Sequence, residues 1–294
     1  MGDCIMTAWA AAGIRALHPS AEIHWAIQPR CAAVVSGDLA RPRIVPREKR
    51  QSSGGLMPML RFFLDLRRTR FDVGFDFQGY AKTALCLRFA GPRERFALAG
   101  LRIRDRFAES LTPPTQVGPE NRHVIEREIA LVRTWRDIPF VARPPMPAFP
   151  EESKAWEAGE APITLQTGAG GPHKTWARED WQKVADALTK TGRRVVALGG
   201  PGDPDLDRVQ SLVGRASLEE SLAAVRASRL HIAADTGTGH AAAAYGVPLI
   251  SLFGATDPER YRPWGDGVRL LKGSPDQRSI TAEEVIEAAL EALR

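Results

Sequence analysis

Between residues 162 and 293, short apolar runs alternate with amphipathic segments, and that alternation leaves few architectures open. Pro162-Ile-Thr-Leu-Gln166, Arg194-Val-Val-Ala-Leu198, Leu230-His-Ile-Ala-Ala234 and Pro248-Leu-Ile-Ser-Leu-Phe253 each read as a buried strand. Helical stretches separate them. One runs from about Glu179 to Thr189, with Trp181, Val184, Ala185 and Leu188 on one face; others lie near Asp205 to Leu212, at Leu218 to Ala227, and at the Ala-rich Thr238 to Tyr245. Thr281 is placed to cap a last helix, Ala282 to Leu293. Strands that take turns with helices imply a parallel sheet with right-handed crossovers, and such sheets bind ligands beyond the carboxyl ends of their strands.

The first half repeats the theme less regularly. Helix signals cover Ile5 to Leu17, Leu56 to Arg67, Lys82 to Phe89 and His123 to Trp135; strand signals cover Ala21 to Ile27 and Phe71 to Phe77. The proline-laden segment from Pro139 to Pro150 is expected to be an extended connector, since proline fixes φ and removes a backbone donor. Two α/β domains follow, residues 1–145 and 151–294, with a cleft between them. The charge changes at the same place. Residues 1–150 hold 23 Lys and Arg against 14 Asp and Glu, whereas the remainder hold 17 against 21. A basic half suits an anionic partner or simply a solvated Arg-rich face, and no basic helix interleaved with aromatics points to nucleic acid.

No apolar run reaches the ~20 residues of a membrane span. The longest, Ala241 to Phe253, is interrupted by Gly246 and Pro248. Cys4, Cys31 and Cys86 are scattered, with no CxxC spacing, which argues for a reducing compartment and against a disulfide framework or a zinc site. With no charged-then-apolar leader at Met1, the expected location is the cytoplasm.

Two loops carry the chemistry. Ala234-Asp-Thr-Gly-Thr-Gly-His-Ala-Ala241 leads from a strand into a helix through small residues, so unpaired N–H groups and the positive end of the helix dipole face one spot. Gly237 and Gly239 allow a phosphate close to the backbone, Thr236 and Thr238 add hydroxyls, and His240 sits one turn in; a capped helix with a buried histidine is the plainer alternative. Gln166-Thr-Gly-Ala-Gly-Gly-Pro-His-Lys-Thr-Trp176 follows the domain's first strand, and Lys174 brings a mobile cation suited to a diphosphate. A plain surface loop with an exposed lysine is the alternative here. It is not a P-loop, because the Walker spacing is absent.

Lys174-Thr-Trp176, Gly199-Gly-Pro-Gly-Asp203, Asp235-Thr-Gly-Thr-Gly-His240 and Leu252-Phe-Gly-Ala-Thr-Asp-Pro258 fall in an order and spacing that resembles the heptosyltransferases of glycosyltransferase family nine. In the first half, Phe71-Asp-Val-Gly-Phe-Asp-Phe-Gln-Gly79 with Lys82 is similar to that family's DLQG-x-x-K segment, and Gly2-Asp3 with Arg15-Ala-Leu-His-Pro19 is similar to its opening. The resemblance implies a GT-B fold of two Rossmann-like domains and an inverting, metal-independent transfer of a heptose-type sugar from an ADP-heptose-like donor to an anionic glycolipid such as a lipopolysaccharide core. It implies no cofactor, and it allows peripheral contact with the cytoplasmic face of the inner membrane. Residue by residue, Asp3 would be the general base. Lys174, Thr236 and Gly237 would hold the diphosphate, and His240 would sit near phosphate or sugar. Asp235 would orient the sugar or the turn, Asp203 would meet the ribose, and Lys82 would contact the acceptor.

The sequence departs from the family pattern in places. The family has a strand directly before its GD, whereas Met1 alone precedes Gly2-Asp3 here, so the first strand of the amino-terminal sheet is expected to be missing and Asp3 to hang on an unanchored terminus. Trp9 replaces a proline, and Gly170 stands where the family often has Ser or Thr. A nucleotide-sugar epimerase and a non-catalytic GT-B homologue remain as alternatives.

Overall fold

The computed structural model describes residues 1–46, 56–99, 106–119, 122–157, 159–171 and 174–294. The chain divides into two compact units, Met6–Pro145 and Met146–Arg294, the second joined by Met1–Ile5.

The first unit contains most of helix α1 (Gly2–Leu17), then β1 (His24–Ile27), β2 (Arg41–Ile44), α2 (Leu56–Arg68), β3 (Val73–Asp76), α3 (Ala81–Ala90), β4 (Glu94–Leu98), α4 (Arg106–Leu111), β5 (Pro114–Thr115) and α5 (Val124–Arg133). Its strands form two parallel sheets, β1–β2 and β3–β4–β5. Helix α1 is buried on every side from Ile5 to Ala12, as expected of a helix with alanine and large apolar residues all round. Phe75 and Phe96, opposite each other across β3 and β4, stack at 5.4 Å, and Trp135 meets Phe75 edge-on at 6.0 Å.

The second unit runs α6 (Pro150–Glu157), β6 (Ile163–Gln166), α7 (Arg178–Thr189), β7 (Val195–Leu198), β8 (Gln210–Ser211), α8 (Leu218–Ala227), β9 (Leu230–Ala234), α9 (Gly237–Tyr245), β10 (Leu249–Phe253), α10 (Pro258–Tyr261), β11 (Val268–Lys272) and α11 (Ala282–Ala292). All six strands are parallel, in the order β11-β10-β9-β6-β7-β8. Because successive side chains point to opposite faces, the central strands feed two cores. Ile163, Leu165, Val195, Ala197, Leu230 and Ile232 meet α7 and α11, while Val196, Leu198, Ala233 and Leu249 meet α6, α8 and α9. The polyproline connector is fastened to this unit by Tyr245, whose hydroxyl donates to Pro147 O at 2.9 Å, and by Arg226, which donates to Ala148 O at 2.8 Å.

One expected helix is absent. Residues 205–212 form a turn and the short edge strand β8. Asp205 takes hydrogen bonds from Leu206 N at 2.9 Å and from the Ser211 hydroxyl, closing a local turn that competes with helix formation. Leu206, Val209 and Val213 still reach the core. Several elements lie outside the sequence-derived helices and strands: β2, β4, α4 and β5 in the first unit, and α6, α10 and β11 in the second, where α6 is anchored by buried Trp156 under the Arg194 guanidinium and β11 pairs along its whole length with β10.

Candidate active site

Strands β6, β7 and β9 end on one edge of the second unit's sheet, and the turns that leave them enclose a cavity of about 400 Å³. Gln166, Gly168, Ala169 and Gly170 form one wall; Gly199, Gly200 and Asp203 a second; Thr236, Gly237 and Thr238 a third; and Ser217, Leu218 and Ser221 a fourth. Each wall is fixed by its own chemistry. Thr167 donates its hydroxyl to Pro204 O at 2.6 Å, which ties the turn after β6 to the turn after β7. Asp203 Oδ2 accepts from Gly200 N at 2.6 Å and lies so close to Gly168 that a Cβ there would stand 1.7 Å from the same oxygen. A side chain at 168 would therefore have to displace the Asp203 carboxylate.

The third wall is the start of α9. Thr236, extended at φ −136° and ψ 165°, makes no side-chain cap, so the first amides of the helix are not covered by its hydroxyl. That hydroxyl lies 3.1 Å from Thr238 Oγ1, which donates to Gln166 Oε1 at 3.3 Å. Helix α9 is almost wholly buried beyond this point, including His240. Met1 packs where a Cβ on Gly237 would stand, and Gly2 lies against the His240 ring. The fourth wall is the start of α8, where Ser217 and Glu220 cap each other's backbone amides.

Of the sequence-derived site residues, Lys174, Asp203, Asp235, Thr236, Gly237 and His240 lie in this unit, and Asp203, Thr236 and Gly237 line the cavity itself. Lys174 forms an ion pair with Asp235 at 2.5 Å, and its backbone carbonyl accepts from Gln277 Nε2. Asp235 is nearly buried and Lys174 is 26% exposed, so the pair is partly shielded from water. The residues Pro172 and His173 of the same loop lie outside the described residues. Asp3 is exposed in the first turn of α1, and that turn is not loose: Ile5 N donates to Met1 O at 3.1 Å, and Met1 and Gly2 rest on α9. Lys82 belongs to the first unit, in the first turn of α3. There Asp76 arranges the DFQG segment, accepting from Gln78 N at 2.9 Å, Gly79 N at 3.0 Å and the Thr83 hydroxyl at 3.0 Å. Burial pushes the Asp76 carboxyl above its ordinary range, and those three donors pull it back.

The sequence reading missed the fourth wall. Its signal was present as Ser217-x-x-Glu220 ahead of an apolar run, a helix start that must fall on the ligand-binding edge. Met1 left no comparable signal. Among the described residues no group of histidine, cysteine, aspartate or glutamate is arranged to hold a metal ion.

Glycine-bearing turns, a helix start without a side-chain cap and a nearby lysine, all on the carboxyl edge of a parallel sheet, are the features by which α/β domains of the nucleotide-binding class receive phosphates. The particular family follows from comparison. Residues 59–286 match the model of glycosyltransferase family 9 (heptosyltransferase), and the chain belongs to that family. It is 26% identical over 240 residues to lipopolysaccharide heptosyltransferase 3 of Escherichia coli K12, covering 75% of this chain and 69% of that protein. It is 25% identical over 274 residues to lipopolysaccharide heptosyltransferase 1 of Pseudomonas aeruginosa, covering 88% and 77%. The structure of the E. coli heptosyltransferase WaaC with ADP superposes with a TM-score of 0.83 at 19% identity, covering 99% of this chain and 97% of that one. The protein is thus a glycosyltransferase, and its fold is GT-B.

Proposed function

We propose that the protein transfers a heptose-type sugar from an ADP-linked donor to an anionic glycolipid of the lipopolysaccharide-core type, with inversion. The observation that carries this reading is the convergence of four polar turns on one cavity beside Lys174. Residues 151–294 would bind the donor and residues 1–145 the acceptor. The diphosphate would lie against Thr236, Gly237 and the first amides of α9, with Lys174 turning from Asp235 to reach it. His240 would sit behind that cradle. The nucleoside would extend towards Asp203 and Ser217, where a carboxylate and a hydroxyl suit ribose. Asp235 would position Lys174 instead of touching the donor, because a carboxylate beside a diphosphate is repelled unless a cation screens it.

In the transfer step an acceptor hydroxyl attacks the anomeric carbon from the face opposite the leaving group. Asp3 takes the hydroxyl proton as the new C–O bond forms, and the bond to the nucleoside diphosphate breaks. The leaving group departs as an anion, so it needs positive electrostatics instead of a protonating acid, and Lys174 with the α9 amides supplies them. Lys82 and the basic first unit favour an acceptor carrying phosphates, at the cytoplasmic face of a membrane.

The test is twofold. Isothermal titration should show ADP binding, and purified protein should release ADP from ADP-heptose only when a core-type acceptor is present. Release without acceptor, or interconversion of the donor with no transfer, would favour an epimerase; ADP binding with no reaction of any kind would leave a non-catalytic homologue.

A further inference from the structure

Helix α2 is apolar on two faces, and only one is packed. Phe62, Phe63 and Leu66 turn inward with Cys86, Ala90 and Phe71. Met57, Leu60 and Leu64, spaced by three and four residues and so on one face, are 54%, 45% and 50% exposed. At about 100° per residue, Arg61 and Arg68 fall on one flank of this stripe and Arg67 on the other. All three arginines are exposed. The carboxylate on the helix, Asp65, is paired with Arg43. Phe89, 44% exposed and stacked on Phe63 at 4.4 Å, continues the apolar surface onto α3 beside the exposed Arg88.

A helix of a water-soluble domain ordinarily keeps its large apolar residues on the core side. A solvent-facing apolar stripe bordered by guanidinium groups matches one environment, the interface of an anionic bilayer. There leucine and methionine enter the acyl boundary while arginine stems lie along it and their heads reach lipid phosphates. No helix of the described residues is long and apolar enough to cross a membrane, so the contact is with the surface. We infer that α2 docks the protein on an anionic phospholipid surface through Met57, Leu60 and Leu64, with Arg61, Arg67 and Arg68 as its electrostatic border. A second copy of the chain is the poorer occupant, because a two-fold pairing through this stripe sets the arginines of one copy against those of the other. The inference deepens the acceptor reading above by naming the surface that meets the membrane, yet it stands on α2 and not on the donor site.

The experiment is co-sedimentation of the full chain with phosphatidylcholine vesicles, with and without phosphatidylglycerol. Binding should require phosphatidylglycerol and weaken with salt. Leu60→Ser with Leu64→Ser should lower the partition coefficient by about tenfold or more, equivalent to about 1.4 kcal/mol per tenfold. Arg61→Glu with Arg68→Glu should do the same while leaving the core face untouched, so one pair remains informative if the other lowers the melting temperature. ADP titration of each variant should match the parent, which separates this surface from the donor site. Failure of the parent to bind anionic vesicles, or retention of binding in a folded variant, overturns the inference. So does a dimer, seen by ultracentrifugation, that the serine pair dissolves.

Discussion

Lys174 Nζ lies 2.5 Å from Asp235 Oδ2, so the cation proposed above for the donor diphosphate is held by a carboxylate just beyond β9. The pair solves two problems together. It keeps a nearly buried carboxylate from being left uncompensated, and it holds a flexible lysine beside the start of α9. Removing one partner of a buried pair costs about 3–5 kcal/mol of stability, whereas removing both is often close to neutral. Lys174→Met alone is therefore expected to lower both stability and ADP affinity. Lys174→Met with Asp235→Asn should recover most of the stability and still bind ADP about 1.5–3 kcal/mol more weakly, the scale of a charge-assisted hydrogen bond. Calorimetric titration alongside thermal melts checks both halves; an ADP affinity equal to the parent's in the double variant would remove Lys174 from donor binding.

Gly168 and Gly170 stand two residues apart in the same loop and should respond oppositely to alanine. A Cβ on Gly168 falls on the Asp203 carboxylate, while one on Gly170 meets nothing within 4 Å. Gly168→Ala must push Asp203 off Gly200 N, and overpacking of this kind costs about 1–3 kcal/mol. Gly170→Ala should leave the melting temperature unchanged. Equal melts for the two variants would mean that Asp203 does not close this turn.

The second unit's fold was legible because buried parallel strands leave continuous apolar runs, and Ile163–Gln166 or Leu249–Phe253 can hardly be anything else. Residues 205–212 misled because their apolar spacing suits a helix, yet Asp205 bonds its own neighbours and an edge strand needs only two residues to pair with β7. The two phosphate-suited loops were readable as a strand, small residues and a helix start. What no residue pattern announced was tertiary: the pairing of Lys174 with Asp235 across 61 positions, and the fit of the Asp203 carboxylate between Gly168 and Gly200 at the cavity wall.

His231 makes the second unit sensitive to acid. It is fully buried in β9, with Nδ1 2.8 Å from the Thr164 hydroxyl, and burial lowers its pKa from 6.5 to about 3. The folded chain thus refuses a proton that the unfolded chain accepts. Stability is complete above the unfolded value and is lost as pH falls from about 6.5 towards 3, at about 1.4 kcal/mol per unit. Denaturant titrations should show a loss of about 2 kcal/mol from this group between pH 6.5 and 5. His231→Gln, which can still bond Thr164, should be less stable at pH 7 but should lack that part of the slope. An identical pH dependence in parent and variant would assign the acid sensitivity elsewhere.

In the mechanism proposed above Asp3 is the general base, and its surroundings specify how its replacement should act. It follows two residues that rest on the start of α9, Met1 over Gly237 and Gly2 against His240, and it is itself exposed. A general base needs that combination, with an anchored backbone and a carboxylate open to an acceptor hydroxyl. Asp3→Asn keeps size and hydrogen bonding and removes only basicity. It should leave ADP affinity and melting temperature unchanged while lowering kcat by about 10²–10⁴, the usual worth of a positioned base. An Asn variant as fast as its parent would exclude Asp3 as the base, and the proton would then have to leave the acceptor through another carboxylate.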